Sequence, residues 1–134
     1  MSKSQPLKLL VIILASLTAF APLSIDMYLP SFPQIAANFG VPVSTVELSL
    51  ATFFVGVALG QLLYGTAADR FGRKRPLYVG LTIYCVASLL CAVSPNIETL
   101  IVLRFFQALG ACGGIVIVRA MVRDLFDHSE SARV

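Results

Sequence analysis

Residues 48–76 read LSLATFFVGVALGQLLYGTAADRFGRKRP: 21 residues without an Asp, Glu, Lys or Arg, then five charges in the next seven. Roughly 20 predominantly apolar residues are needed for a helix to cross a bilayer, so the first part is long enough to be a span and the charged part marks where it leaves the lipid. The pattern recurs, because no charge occurs from residue 9 to 25 or from 76 to 97, runs of 17 and 22 residues. Of all 134 residues, 57% are hydrophobic and 13% charged, where a soluble domain carries about 25% charged residues. A soluble globule is excluded. The chain reads as an all-α, polytopic membrane protein.

Four spans are expected, at about 9–30, 48–68, 76–93 and 99–122, which puts both termini on one side. The fourth must include Arg104, because its uncharged stretch, residues 105–118, is only 14 long. Lys and Arg in short loops stay cytoplasmic. One face receives Lys3, Lys8, Arg70, Arg73, Lys74, Arg75, Arg119, Arg123 and Arg133, and the other receives none. The amino terminus, the 69–75 loop and the carboxyl tail are therefore expected in the cytoplasm, with 31–47 and 94–98 facing outward.

The net charge of +3 does not imply a nucleic-acid partner. Its basic residues flank apolar runs, and no basic stripe with interleaved aromatics is present to track a phosphate backbone. Cys85, Cys91 and Cys112 fall inside spans, lack ligand spacing and are odd in number, so they read as buried reduced thiols. No metal cluster, nucleophile triad or phosphate-cradling loop suggests an enzyme or a cofactor. His128 reads as a lone surface histidine. The first 25 residues imitate a secretory signal, with Ala19-Phe20-Ala21 as a cleavage site, yet Pro22 fits poorly after the cut and the apolar run is longer than a signal core. Gly56 with Gly60, and Gly110 with Gly114, form GxxxG pairs where another helix backbone can approach, although Gly is frequent in membrane helices anyway.

Two charges lie within apolar segments, Asp26 and Arg104. A charge at mid-span disfavours insertion by about 2.5 to 3.5 kcal/mol, so such residues usually face a cavity or a partner and mark a pathway. At 1.5 Å per residue, Arg104 lies roughly 9 Å below Glu98 and Asp26 about 6 Å below Pro30. The depths agree. Asp26 and Arg104 are therefore expected to face each other, or one polar cavity, in the outer half of the membrane, where the carboxylate binds and releases a proton. An inert ion pair or a snorkelling arginine is the structural alternative. Around Asp26, residues 24–40 read SIDMYLPSFPQIAANFG. The prolines free backbone carbonyls, tolerated in a membrane only against protein or a water-filled cavity. Tyr28 offers an apolar ligand contact, or belongs to an interfacial aromatic belt.

The loop GTAADRFGRKRP, residues 65–76, forces an antiparallel hairpin, with Gly65 permitting close approach and Gly72 a tight turn. Topology signalling explains Arg70, Arg73, Lys74 and Arg75 but not Asp69 among them. An ionic latch explains both, and Asp124 at the end of span four is the expected partner of Arg73 or Arg70.

With every charged position in place, this loop resembles the signature of the major facilitator superfamily, G-x-x-x-D-R-x-G-R-K/R-P. The segments SIDMYLPSFPQIA and LRFFQALGACGG resemble two further motifs of its drug:proton antiporter branch, most of all the bicyclomycin-resistance (Bcr/CflA) subfamily. The resemblance implies a twelve-helix carrier working by alternating access, this chain supplying four helices of its N-terminal six-helix half. Arg104, with Gln107 of the same motif, would then serve proton coupling, Asp26 and Tyr28 the cavity, and the 65–76 loop gating. Two departures stand out: the family places glycine directly after that glutamine, where this chain has Ala108, and leucine where the loop has Ala67. The expected function is proton-coupled efflux of small amphipathic drugs, with the proton gradient as energy source. Its partners would be the drug, membrane lipid and the carrier's remaining C-terminal helices. Alternatives are a truncated or non-transporting membrane fragment, an assembly partner, or a small four-helix exporter working as a dimer.

Overall fold

The computed structural model describes residues 4–131, with side chains from residue 8 to 124. Lys3, Arg133 and the side chain of His128 lie outside the described residues. The order is α1 (Ser4–Asp26), a 3-10 turn (Leu29–Ser31), α2 (Phe32–Phe39), α3 (Val43–Phe71), α4 (Lys74–Ala92) and α5 (Ile97–Ser131). Four of the helical segments, Lys8–Phe39, Val43–Phe71, Lys74–Ala92 and Ile97–Asp124, are long and apolar enough to cross a membrane. The protein is an all-α, multi-pass membrane protein.

Helix ends depart from the charge boundaries. The helix at 9–30 stops at Asp26 instead of Pro30, and Pro30 and Pro33 stand at the second positions of the 3-10 turn and of α2, in the first turn, where the N–H has no helical acceptor to lose. Helix α3 begins five residues before 48, with Glu47 exposed on its early turns, and continues through Asp69 and Arg70. Charge marks the limit of lipid contact, and a helix is free to run past that limit into water.

The short helix α2 was not expected. It buries Phe32 and Ala36 against Val46, Ile97 and Leu100, so it caps the starts of α3 and α5. Gly40 ends it in the left-handed region (φ 64°), where Val41 N–H reaches back to the Ala36 carbonyl at 3.0 Å. Gly72 (φ 79°) makes the two-residue link between α3 and α4, the tight turn expected of it.

Helix α5 is the hub. Over its apolar window 56% of residues are buried, against 11% for the first span, and α1, α3 and α4 all pack on it. This explains how so short an apolar run carries an arginine: the lipid is met by the other helices. Between apolar helices in lipid, association depends on close packing of small residues, and the GxxxG pairs supply it. A Cβ on Gly56 would stand 2.6 Å from the Phe105 carbonyl, and one on Gly60 would stand 2.8 Å from Cys112 Cβ, both on α5. Gly110 meets the backbone of Gly80 and Tyr84 on α4, and Gly114 the carbonyl of Leu17 on α1. The three thiols are free, but only Cys112 is buried against protein; Cys91 is half-buried, and Cys85 points outward because its side of α4 has no neighbour here.

Candidate functional site

At the carboxyl end of α1 the hydrogen-bond pattern changes step. Met27 N–H still bonds the Leu23 carbonyl, four residues back, whereas Tyr28 N–H bonds Ile25, three back. Ser24's carbonyl is thereby skipped and left without a helical donor. Arg104, two turns into α5, fills the gap: its Nη2 donates to that carbonyl at 3.2 Å. Its Nη1 donates to Gln107 Oε1 at 2.6 Å, since residues three apart share a helix face.

The polar chain continues into α4. Gln107 Nε2 donates to the Ser88 hydroxyl at 2.8 Å, and Ser88 in turn donates to the Tyr84 carbonyl at 2.7 Å. The Tyr84 hydroxyl shares a 2.8 Å hydrogen bond with the Ser24 hydroxyl, and its ring stacks on Phe20 with centroids 5.1 Å apart. The guanidinium carbon lies 4.0 Å from the centre of the Tyr28 ring and 4.5 Å from that of Phe53. Tyr28 is fixed by a 2.6 Å hydrogen bond between its hydroxyl and that of Ser49 on α3. Arg104 is 4% exposed, and among the described residues its Nε is the buried side-chain polar atom without a partner. Two carbonyl-type acceptors and two aromatic faces thus replace the water a charge would lose.

A cavity of about 420 Å³ opens beside this cluster, lined by Ser24, Tyr28, Tyr84, Ser88, Gln107 and Arg104 together with Phe20, Leu23 and Met27. Arg104, Gln107 and Tyr28 stand together, with the Tyr28 ring packed on the guanidinium. Asp26 is not with them. It is exposed, makes no ion pair among the described residues, and does not line the cavity. Position 26 lies about 200° round the helix from Ser24, so equal depth did not bring the two charges to one face. Ser24, Ser49, Phe53, Tyr84 and Ser88 escaped the sequence reading. The signal present was the pair Tyr84 and Ser88, one turn apart, but Tyr78 and Thr82 show the same spacing in the same span, so it did not single out the site; Phe53 carries none.

At the other end of the bundle, Arg73 Nη2 lies 2.8 Å from Asp124 Oδ2, the latch expected between the 69–75 loop and α5. A second cavity, about 340 Å³, is lined there by Gly65, Asp69, Arg73, Arg119 and Arg123. Gly65 makes no close approach: a Cβ there would meet nothing within 4 Å, because this cavity separates it from α5. Arg70 and Lys74 are exposed. The latch carboxylate is half exposed, so Asp124→Asn should shift unfolding by less than about 1 kcal/mol. The charge-swapped pair Arg73→Asp with Asp124→Arg should keep the contact and the wild-type stability. Thermal unfolding of the single and double variants checks this.

A family model described as Major Facilitator Superfamily matches residues 14–134. The chain is 44% identical over 124 residues, 92% of its length and 31% of the relative's, to an uncharacterized MFS-type transporter, YdgK, of Bacillus subtilis. It is 38% identical to a chloramphenicol resistance protein of Pseudomonas aeruginosa, over 92% of this chain and 30% of that one. It is 31% identical to a bicyclomycin resistance protein homolog of Haemophilus influenzae, over 100% of this chain and 34% of the relative. The chain therefore spans about a third of the length of these curated relatives. No solved structure matches it significantly.

Proposed function

The chain belongs to the major facilitator superfamily, and from that premise we propose that it works, as part of a longer carrier, in proton-coupled efflux of small amphipathic drugs across a bacterial-type inner membrane. The observation that carries the reading is Arg104, buried at the wall of the cavity between α1, α4 and α5 and the one charged residue lining it. A buried cation that served packing alone would be an expensive substitute for leucine, whereas at a cavity wall it marks a pathway. The names of two relatives, resistance proteins for chloramphenicol and bicyclomycin, support drugs as the substrate class. Energy comes from the proton gradient and no cofactor takes part. The other partners are lipid and the carrier's remaining helices, and nucleic acid is not one of them. The positive charge of the 69–75 loop supports a cytoplasmic amino terminus.

Proton binding falls to Asp26, the one acid between residues 1 and 46. It acts through the end of α1, two residues beyond the carbonyl that Arg104 grips, and without an ion pair to Arg104. The test is the full-length gene product in an efflux-deficient bacterium. The chloramphenicol inhibitory concentration should rise several-fold, and a protonophore should abolish the gain. Asp26→Asn should lose proton-driven accumulation while still binding drug. Unchanged coupling in Asp26→Asn removes the residue from the mechanism, and no resistance to any amphipathic drug removes the function.

A further inference from the structure

Helices α3 and α4 are joined by two residues yet touch each other little, because both pack on α5. A groove of about 400 Å³ runs between them. Leu63, Ala67 and Phe71 form one wall at i, i+4, i+8 spacing, and Arg75, Val79 and Ile83 form the other at the same spacing, with Leu109 of α5 at the floor. Eight residues at 1.5 Å make the walls about 12 Å long, a substantial part of one leaflet. All of these are apolar except Arg75, which stands at the end nearest the basic loop. Arg70 lies beside that same end, 5.8 Å from the ring of Phe71. Among the described residues, neither Arg70 nor Arg75 is in an ion pair, since the one pair present takes Arg73.

We propose that this groove holds an anionic phospholipid of the leaflet at the basic loop, one acyl chain between α3 and α4 and its phosphate on Arg70 and Arg75. Apolar walls alone would accept any hydrocarbon. The charge at the mouth selects the occupant, since a chain entering from the headgroup layer must bring its phosphodiester past both guanidiniums. The wall residues Leu63, Phe71 and Val79 stand more than half exposed, as an open groove requires.

Native mass spectrometry of the full-length carrier, released from nanodiscs of phosphatidylglycerol or of phosphatidylcholine, tests this. Wild type should retain a phosphatidylglycerol adduct well beyond any phosphatidylcholine adduct. Arg70→Gln and Arg75→Gln should each lower it by about five-fold, the size expected for one basic residue at a charged surface, and Arg75→Lys should keep most of it. Ala67→Phe, which fills the groove, should lower retention of both lipids alike. Equal retention of the two lipids by wild type overturns the proposal, as does a phosphatidylglycerol adduct that survives both glutamine variants and Ala67→Phe. The readout is lipid and not transport, so it stands or falls independently of the efflux reading.

Discussion

Gly110→Val should prevent stable assembly of the four helices, while Gly65→Ala leaves them as stable as before or up to about 1 kcal/mol more stable. Both glycines sit within α-helices and both belong to recognisable motifs, so sequence alone ranks them equally. Their surroundings differ. A Cβ on Gly110 would stand 2.6 Å from the Gly80 carbonyl and 2.8 Å from Tyr84 Cα, with the Tyr84 nitrogen closer still. Those are backbone atoms of α4, which cannot rotate aside, so α4 as a whole must withdraw from α5. Overpacking a well-packed core costs typically 1 to 3 kcal/mol. A branched side chain against a rigid backbone belongs at or above the top of that range. The loss would also part Gln107 from Ser88 and so undo the cluster around Arg104. Cys112, fully buried at the α3–α5 contact, is a reporter: in a background lacking the other cysteines, a thiol-reactive dye should label it at a markedly lower temperature in Gly110→Val. Labelling at the wild-type temperature would show that α4 and α5 are not held together at Gly110.

The layout was legible in the sequence because charge and lipid exclude one another, so uncharged runs show where the hydrocarbon is. The same rule is silent on helix ends, which is why α2 and the early start of α3 were not foreseen. The latch was legible too, since a two-residue link fixes Arg73 beside the end of α5, where Asp124 offers an opposite charge. The acid expected at Arg104 was not there. What Arg104 grips is the Ser24 carbonyl, and every residue has a carbonyl; only the step change at Tyr28 frees this one. Depth can be counted from a sequence, whereas the angle around a helix that ends two residues later cannot be trusted to the same count.

In the full-length carrier, Arg104→Met together with Gln107→Leu should leave the bundle about as stable as wild type, or more stable, and, on the efflux proposed above, abolish transport. The arginine bears opposing terms. Its charge costs about 2.5 to 3.5 kcal/mol at membrane depth, while hydrogen bonds to charged groups return about 1.5 to 3 kcal/mol each and a desolvated aromatic contact about 2 kcal/mol. Removing only the guanidinium leaves the buried Gln107 Oε1 without a donor, at about 1 to 3 kcal/mol, and the half-buried Ser24 carbonyl without one at a smaller cost. Arg104→Met alone should therefore be destabilised. Taking Gln107 away as well removes one of those orphans and fills the space with apolar volume, the case in which buried polar groups are replaced at little cost or with a gain. Arg104→Lys separates charge from shape. It retains the cation, but a single ammonium cannot reach Gln107 on α5 and Ser24 on α1 while lying flat between Tyr28 and Phe53, so efflux should fall at least as far as in the double variant. Unfolding midpoints beside drug accumulation in the same cells decide the matter. A double variant that folds and still exports drug would reduce Arg104 to a packing residue.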